Sequence, residues 1–131
     1  MMIAEVLYSL ITESEPTKTL LGDRMWPNEL PKTTSFDVNS KDLPACFYQK
    51  ASETRQDEVD LVQTMWNITV TCNNSTERDT VTNAVKQVLH RYKGGPIWYI
   101  GFSGQTDMFD EKLRKPYSVM TFIVTSYGME V

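Results

Sequence analysis

An apolar stripe between positions 81 and 92 restricts the folds open to this chain more than any other pattern in it. Its members recur every three or four residues, the spacing that places side chains on one face of a helix. They are Val81, Ala84, Val85, Val88, Leu89 and Tyr92. Candidate N-cap residues precede the stripe at positions 73–76, where Thr76 and Asp79 have the spacing of a capping box, and Gly94-Gly95 follows as a stop signal. The pattern predicts a helix that must pack its apolar face against another element.

A second one-sided helix is predicted at the N-terminus. Its apolar positions share one helical face and comprise Ile3, Val6, Leu7, Leu10 and Ile11. Pro16 lies just beyond its expected end near Ser14, because proline in a helix interior removes a backbone donor and clashes with the preceding turn.

Residues 17–42 are predicted to form a long loop or arm. Gly22-Asp23, Pro27-Asn28 and Pro31 punctuate this segment, and no helical periodicity runs through it. Only residues 24–26 have the composition of a short strand. Long connections of this kind often carry contacts with a partner.

Alternation of apolar and polar residues predicts a first hairpin. Its strands cover residues 43–52, started by Pro44, and residues 62–72. The second strand carries its apolar residues on one parity: Val62, Trp66, Ile68, Val70 and Cys72. The charged residues 53–60 between the strands are predicted to form a protruding hairpin tip.

A second hairpin is predicted near the C-terminus. Residues 97–103 and 117–127 are rich in β-branched and aromatic side chains, and a polar loop over residues 104–115 joins them.

The predicted element order is α-β-β-α-β-β. Two amphipathic helices each need one apolar surface, and a mainly antiparallel sheet of about four strands offers one. We therefore expect an α+β fold, a two-layer sandwich with both helices on one face of the sheet. The 131 residues suffice for one core but not for two, so residues 1–131 are predicted to form a single domain.

Composition narrows the function classes. The formal charge of −4 and a pI near 5.0 give no general attraction to phosphate backbones. The first residues contain no basic region, and no apolar run approaches membrane-spanning length, so secretion and membrane insertion are not expected. Cys46 and Cys72 do not form a CxxC pair, which favours buried, reduced thiols.

No residue pattern predicts catalysis, a cofactor or a metal site. The single histidine, His90, lies in the last turn of the predicted helix among basic residues, a position that favours capping. One histidine and two separated cysteines do not supply a local zinc ligand set. The acidic residues at 107, 110 and 111 lack the spacing of a calcium loop, and the glycines match no phosphate-binding motif.

Two segments remain as candidates for protein contacts. From the predicted arm we select Arg24 and Trp26, and from the hairpin tip Arg55 and Glu58, as subunit-interface residues. The aromatic residues of strand 97–103 favour core packing or a protein interface over base stacking, because the motif of RNA-binding sheets is absent. A monomeric module that binds a peptide or a single-stranded nucleic acid stays open as an alternative.

The layout resembles the tail-completion proteins, also called tail terminators or tail-to-head joining proteins, of long-tailed bacteriophages. The resemblance spans nearly the whole chain. It lies in the order of the helix 3–11, the Leu21-Gly22-Asp23-Arg24-Met25 turn, the Leu43-Pro44-Ala45-Cys46-Phe47-Tyr48 segment, the strand 66–70 and the helix 79–89.

The resemblance implies a structural subunit with no catalytic residue or cofactor. It implies a homohexameric ring that caps the finished tail tube at its head-proximal end, after assembly in the host cytoplasm. The implied partners are copies of this chain, the major tail tube protein and a head-closure or neck protein, with DNA only passing through the lumen. A head-closure or neck connector subunit would share these properties and is the alternative within the same class.

Overall fold

The computed structural model describes residues 3–30, 43–56 and 61–127 of the chain. Within these ranges the elements run α1 (Ile3–Glu13), α2 (Glu15–Leu21), β1 (Met25–Pro27), β2 (Ala45–Gln56), β3 (Leu61–Thr71), α3 (Ser75–Leu89), β4 (Ile97–Asp110) and β5 (Lys115–Tyr127). The α+β class is confirmed. The predicted order and number of elements are wrong in detail, since the structure adds the helix α2 and forms, as β1, the short strand that the composition of residues 24–26 allowed but the predicted order left out.

The strands form one mixed sheet in the order β1-β2-β3-β5-β4. β1 runs parallel to β2, and the other neighbours are antiparallel. Buried residues from all three described helices meet alternate residues of the strands in a single core. The helices therefore cover one face, which we call the covered face, and we call the other the open face.

The core confirms the predicted periodicities. Ile3, Val6, Leu7 and Ile11 are the buried residues of α1. The predicted apolar parity of β3 is the buried one, with Ile68 and Val70 fully inaccessible to solvent. Phe122 of β5 is also fully buried, and its ring meets that of Phe102 edge-on at 5.5 Å between centroids.

The helix α2 overturns part of the predicted arm. Pro16 lies in the first turn of α2, where its missing N–H costs nothing, so it begins a helix here and does not merely follow one. Thr17 is fully buried and its hydroxyl donates to the carbonyl oxygen of Ile11, which ties α2 to α1. The helix ends at Gly22, whose φ of 58° lies in the left-handed region that favours glycine. The rest of the predicted arm, residues 31–42, lies outside the described residues.

Two other predicted connections are shorter than expected. The strand β2 continues through Gln56, so residues 53–56 of the predicted hairpin tip are paired with β3, and residues 57–60 lie outside the described residues. β4 continues to Asp110, which replaces most of the predicted polar loop 104–115 with strand. Polar composition misled the prediction in both places, because edge strands that face water are themselves polar.

The N-terminus of α3 is capped within the predicted positions 73–76, at Asn74. The side chain of Asn74 accepts a hydrogen bond from the Glu77 backbone N–H at 2.8 Å, and Glu77 Oε1 in turn accepts from the Asn73 N–H at 2.9 Å. Asn74 is thus the N-cap residue, and Glu77 bonds the backbone of the residue before it. The predicted pair of Thr76 and Asp79 lies inside the helix.

We expect Asn74→Ala to lower the free energy of unfolding by about 1 kcal/mol, because it removes the acceptor for a helix-terminal N–H. Urea denaturation of the full chain measures the change. Asn74→Asp is the matched control, since it keeps an acceptor at the same place and should retain nearly the stability of the original chain. Equal losses in both variants would contradict the cap assignment.

Both cysteines are buried and free, as the sequence predicts. Burial, followed by the proximity of Cys72, raises the pKa of the Cys46 thiol from 9.0 to about 12. Burial, followed by the proximity of Glu77, likewise raises the pKa of Cys72 to about 12. The stability that neutral thiols contribute is therefore complete below the unfolded pKa and is lost as the pH rises through the folded pKa.

We expect neither thiol to react with an aromatic disulfide reagent at about pH 8 in the folded chain, because the reactive species is the thiolate. Both should react in urea. Absorbance of the released thiolate counts the labelled cysteines. Rapid labelling of the folded chain would contradict the burial of these residues, and Cys46→Ala separates the two contributions.

Candidate assembly surfaces

Arg24 lies at the junction of α2 and β1 and points into the chain. Its Nε donates to the carbonyl oxygen of Pro44 at 2.9 Å, and its Nη2 donates to that of Leu20 at 2.9 Å. These bonds connect the end of α2 to the segment that enters β2. The structure thus gives this predicted interface residue a bracing role within the fold.

Trp26 lies on β1, opposite Phe47 of β2, and is half-buried. Paired residues of neighbouring strands share a face, so both aromatic side chains belong to the open face. This face is a place where a partner could contact Trp26.

Arg55 lies on the far part of β2 and is exposed. Its Nε lies 3.4 Å from Glu53 Oε2, and Lys50 Nζ lies 3.2 Å from Glu53 Oε1. Glu58, the fourth predicted interface residue, lies outside the described residues.

The structure does not bring the predicted interface residues together. Trp26 is in register with Phe47, and Arg55 follows eight positions later on the same strand. At roughly 3.3 Å per residue this is about 25 Å. Arg24 and Trp26 on one side and Arg55 on the other would therefore contact different parts of a partner.

One edge of the sheet is formed by β4, and the described residues cover its first half. The segment after α3 bonds to this half: the Arg91 N–H donates to Ile100 O at 2.8 Å, and the Ile100 N–H donates to Tyr92 O at 3.1 Å. The ring Nδ1 of His90 accepts from the Phe102 N–H at 3.0 Å. The histidine that the sequence places at the end of the helix therefore joins α3 to β4.

The second half of β4, residues 103–110, has an open edge. In an antiparallel pair, every second residue points its backbone N–H and C=O away from the partner strand. Phe102, opposite Phe122, points its N–H away from β5, and the residues opposite Met120, Ser118 and Pro116 do the same. Those residues are Gln105, Asp107 and Phe109. Among the described residues, no backbone hydrogen bond reaches them from that side. Met108 and Phe109 of this half are 45% and 50% exposed.

The other edge shows the same division in reverse. β1 covers the start of β2: the Cys46 N–H donates to Arg24 O at 3.0 Å, and the Asn28 N–H donates to Tyr48 O at 2.9 Å. By the same alternation Lys50 and Glu53 point their backbone groups away from β3. No described strand lies beside this part of β2, because β1 ends at Pro27.

The two open edges lie at diagonally opposite corners of the sheet. The open part of β2, residues 49–56, pairs with residues 61–67 of β3. These pair with residues 121–127 of β5, which pair with the covered half of β4. The open half of β4 is level with the other end of the sheet, where β1 lies. Nothing in the local sequence signals this arrangement, which follows from the order of the strands.

A small polar cluster fixes the open half of β4 to the rest of the fold. Ser118 Oγ donates to Asp107 Oδ1 at 2.6 Å, and Gln105 Nε2 donates to the same oxygen at 2.8 Å. These two hydrogen bonds, in that order, hold the pKa of the Asp107 carboxyl below its ordinary value. Arg78 of α3 lies 3.8 Å from the other carboxylate oxygen. The open edge is therefore held in place and carries negative charge.

The open face combines apolar and polar side chains along β3 and β5. Met65 is opposite Ile123, and Asn67 is opposite Thr121, whose hydroxyl donates to Asn67 Oδ1 at 2.9 Å. Met65 is 36% exposed. No described helix covers this face, but Thr69, Thr71 and Thr125 on it are buried, so a partner could reach only parts of it, such as Met65.

The ends of the sheet carry further exposed aromatic residues. Trp98 and Tyr127, at the end where β4 starts and β5 finishes, are 52% and 49% exposed. Phe109 lies at the other end. Large exposed aromatic side chains therefore lie at both ends of the sheet, where a partner could contact them.

Within residues 3–30, 43–56 and 61–127, no group of three histidine, cysteine, aspartate or glutamate side chains has the arrangement of a metal site. Of the helices in these ranges, none has both the length and the apolar character needed to cross a bilayer.

Comparison with known proteins finds similarity to solved structures but not to family models or curated proteins. No protein-family model matches the chain, and no curated protein matches it. Among solved structures, the chain is similar to a protein in the virion of a native gene transfer agent (GTA) particle, with a TM-score of 0.68. The two are 12% identical, and the similarity covers 93% of this chain and 92% of the other. At this identity the similarity establishes a shared fold over nearly the whole of both chains.

Proposed function

We propose that this chain is a structural subunit of a virion and that it caps the tail tube of a long-tailed bacteriophage as a ring. In this proposal residues 1–131 form one domain, a two-layer α+β sandwich, at the head-proximal end of the tail. The ring ends tube growth and presents a surface to the head. The observation that carries the proposal is the fold shared along almost the full length of both chains with a protein of a gene transfer agent virion.

The surfaces of the chain support an assembly role. A subunit that joins two structures must contact its own copies and a different partner above and below. Exposed apolar residues lie at both ends of the sheet, and two opposite corners carry strand edges beside which no described strand lies. These features suit contacts in several directions.

The charge of the chain suits a ring through which DNA passes. A formal charge of −4 per subunit gives a ring no general attraction for the phosphate backbone, so DNA would cross the lumen without being held.

A head-closure or neck connector subunit is the second candidate. It receives the same support from the shared fold, because the gene transfer agent similarity does not distinguish positions within a particle. The two candidates differ in which half of the particle is left unfinished when the chain is missing.

Labelling of purified particles tests the proposal. A gold-labelled antibody raised against the purified chain should bind at the junction between head and tail, and negative-stain microscopy measures the position of the label. Particles pre-incubated with an excess of free chain and antibody are the control. Absence of the chain from purified particles, or a label along the tail shaft or at its far end, would contradict the proposal.

A further inference from the structure

We propose that copies of this chain associate edge to edge, with the open half of β4 in one copy pairing with the open part of β2 in the next. The contact continues the sheet from subunit to subunit. The inference rests on the proposed function in requiring that copies meet side by side, and it adds the surfaces through which they meet.

The strand directions fit such a contact. β2 is antiparallel to β3, β3 to β5, and β5 to β4, so β4 and β2 run in opposite directions within one copy. A second copy placed beside the first in the same orientation brings its β2 antiparallel to β4. The outward N–H and C=O groups at Gln105, Asp107 and Phe109 would then meet those at Lys50 and Glu53.

The covered halves of the two strands set the register. Residues 90–94 occupy the first half of β4, and β1 occupies the first part of β2. A neighbour can therefore pair only when it is displaced along the strands by about half their length. A constant displacement between neighbours is compatible with a closed ring when the strands tilt relative to the ring axis, as in barrels.

The charges of the two segments are complementary. Residues 103–110 contain Asp107 and Asp110 and no basic residue. Residues 49–56 contain Lys50 and Arg55 against a single acid, Glu53. Opposite charges across neighbouring strands stabilise pairing, and like charges oppose it.

The protection of the β2 edge makes it selective. The register shift between Lys50 and Ser52 and the lysine itself are features that keep an edge strand from pairing with arbitrary chains. The positive charge of Lys50 does not oppose pairing with an acidic strand. A second copy of this chain supplies one, together with the exposed Met108 and Phe109, which the contact would cover.

The two edges differ from each other, so the contact is heterologous. Each copy uses β4 toward one neighbour and β2 toward the other, which allows a ring of identical subunits. A twofold contact between two copies of β4 would instead stop at a dimer.

Cross-linking of variants with one added cysteine tests the inference. Glu53→Cys and Phe109→Cys are each made in the full chain, one of them isotopically labelled, and a short flexible bis-maleimide is added to their concentrated mixture and to particles that contain both. The buried Cys46 and Cys72 do not compete, and mass spectrometry identifies the linked pairs. We expect the main product to link position 53 of one copy to position 109 of another.

A predominance of links between position 109 of two copies would overturn the inference in favour of a twofold contact. Absence of the mixed link in both samples would overturn it outright. A mixed link in the concentrated chain, with the chain absent from particles, would leave the contact standing and refute the proposed function.

Proline substitution on β4 gives a second readout. Phe109→Pro should weaken association by at least about tenfold more than Phe109→Ala, because only proline removes the outward N–H. Equal association of these two variants, measured by light scattering, would also overturn the pairing.

Discussion

Replacing Phe122 with alanine should lower the free energy of unfolding by about 3–5 kcal/mol, the largest effect we expect from a single substitution. Phe122 is fully buried at the centre of the covered face, where its ring meets Phe102 edge-on. The substitution removes apolar area from the core and leaves a cavity that the rigid sheet cannot close. Urea denaturation followed by circular dichroism measures the loss.

Phe122→Leu is the matched control. It should lower the free energy of unfolding by less than Phe122→Ala, because it leaves a smaller cavity. Phe102→Ala offers a second comparison, because the Phe102 ring is only half-buried. This substitution should lower the free energy of unfolding by less than Phe122→Ala does. A loss below about 1 kcal/mol in Phe122→Ala would contradict the packing of the covered face.

Replacing Arg24 with alanine should lower the free energy of unfolding by about 2–3 kcal/mol. The substitution removes two hydrogen bonds from a charged donor and leaves the carbonyl oxygens of Leu20 and Pro44 without that partner. The junction between α2 and the entry to β2 should loosen, and thermal denaturation should show a lower midpoint.

Arg24→Lys separates the shape of the side chain from its charge. Lysine keeps the positive charge but lacks the planar fork that reaches both carbonyl oxygens, so it should recover only part of the loss. If Arg24→Ala unfolded like the original chain but failed to assemble, Arg24 would be an interface residue, as the sequence alone suggests, and the bracing role would be wrong.

Periodicity predicted the elements that bury a regular stripe. α1 and α3 follow from apolar residues at helical spacing, and the buried parity of β3 follows from alternation from Val62 to Val70. In these elements the local pattern and the tertiary packing favour the same structure, which is why sequence reasoning succeeds there.

The elements that the sequence predicted incompletely depend on distant partners. The helix α2 has seven residues and too few apolar positions to show a stripe, and the contact of Thr17 with α1 helps to hold it. The composition of residues 24–26 allowed a short strand, but β1 forms only by pairing with β2, about twenty positions away. These stabilising contacts are not local, so a window of sequence could not establish either element.

The candidate surfaces were only partly predictable, for a related reason. Arg24 looks like an exposed charge in the sequence, and only the fold shows that it turns inward to two carbonyl oxygens. The open edges of β2 and β4 depend on the order of the strands and on which half of each is covered. No residue pattern within either strand indicates them.

The role of this chain at the end of the tail can be tested by negative-stain microscopy of particles produced with its gene disrupted. We expect full heads beside detached tails of irregular length, with normal virions restored when the gene is supplied in trans. Detached tails of normal length beside emptied heads would assign the chain to the neck. Intact virions with normal tails would contradict the structural role altogether.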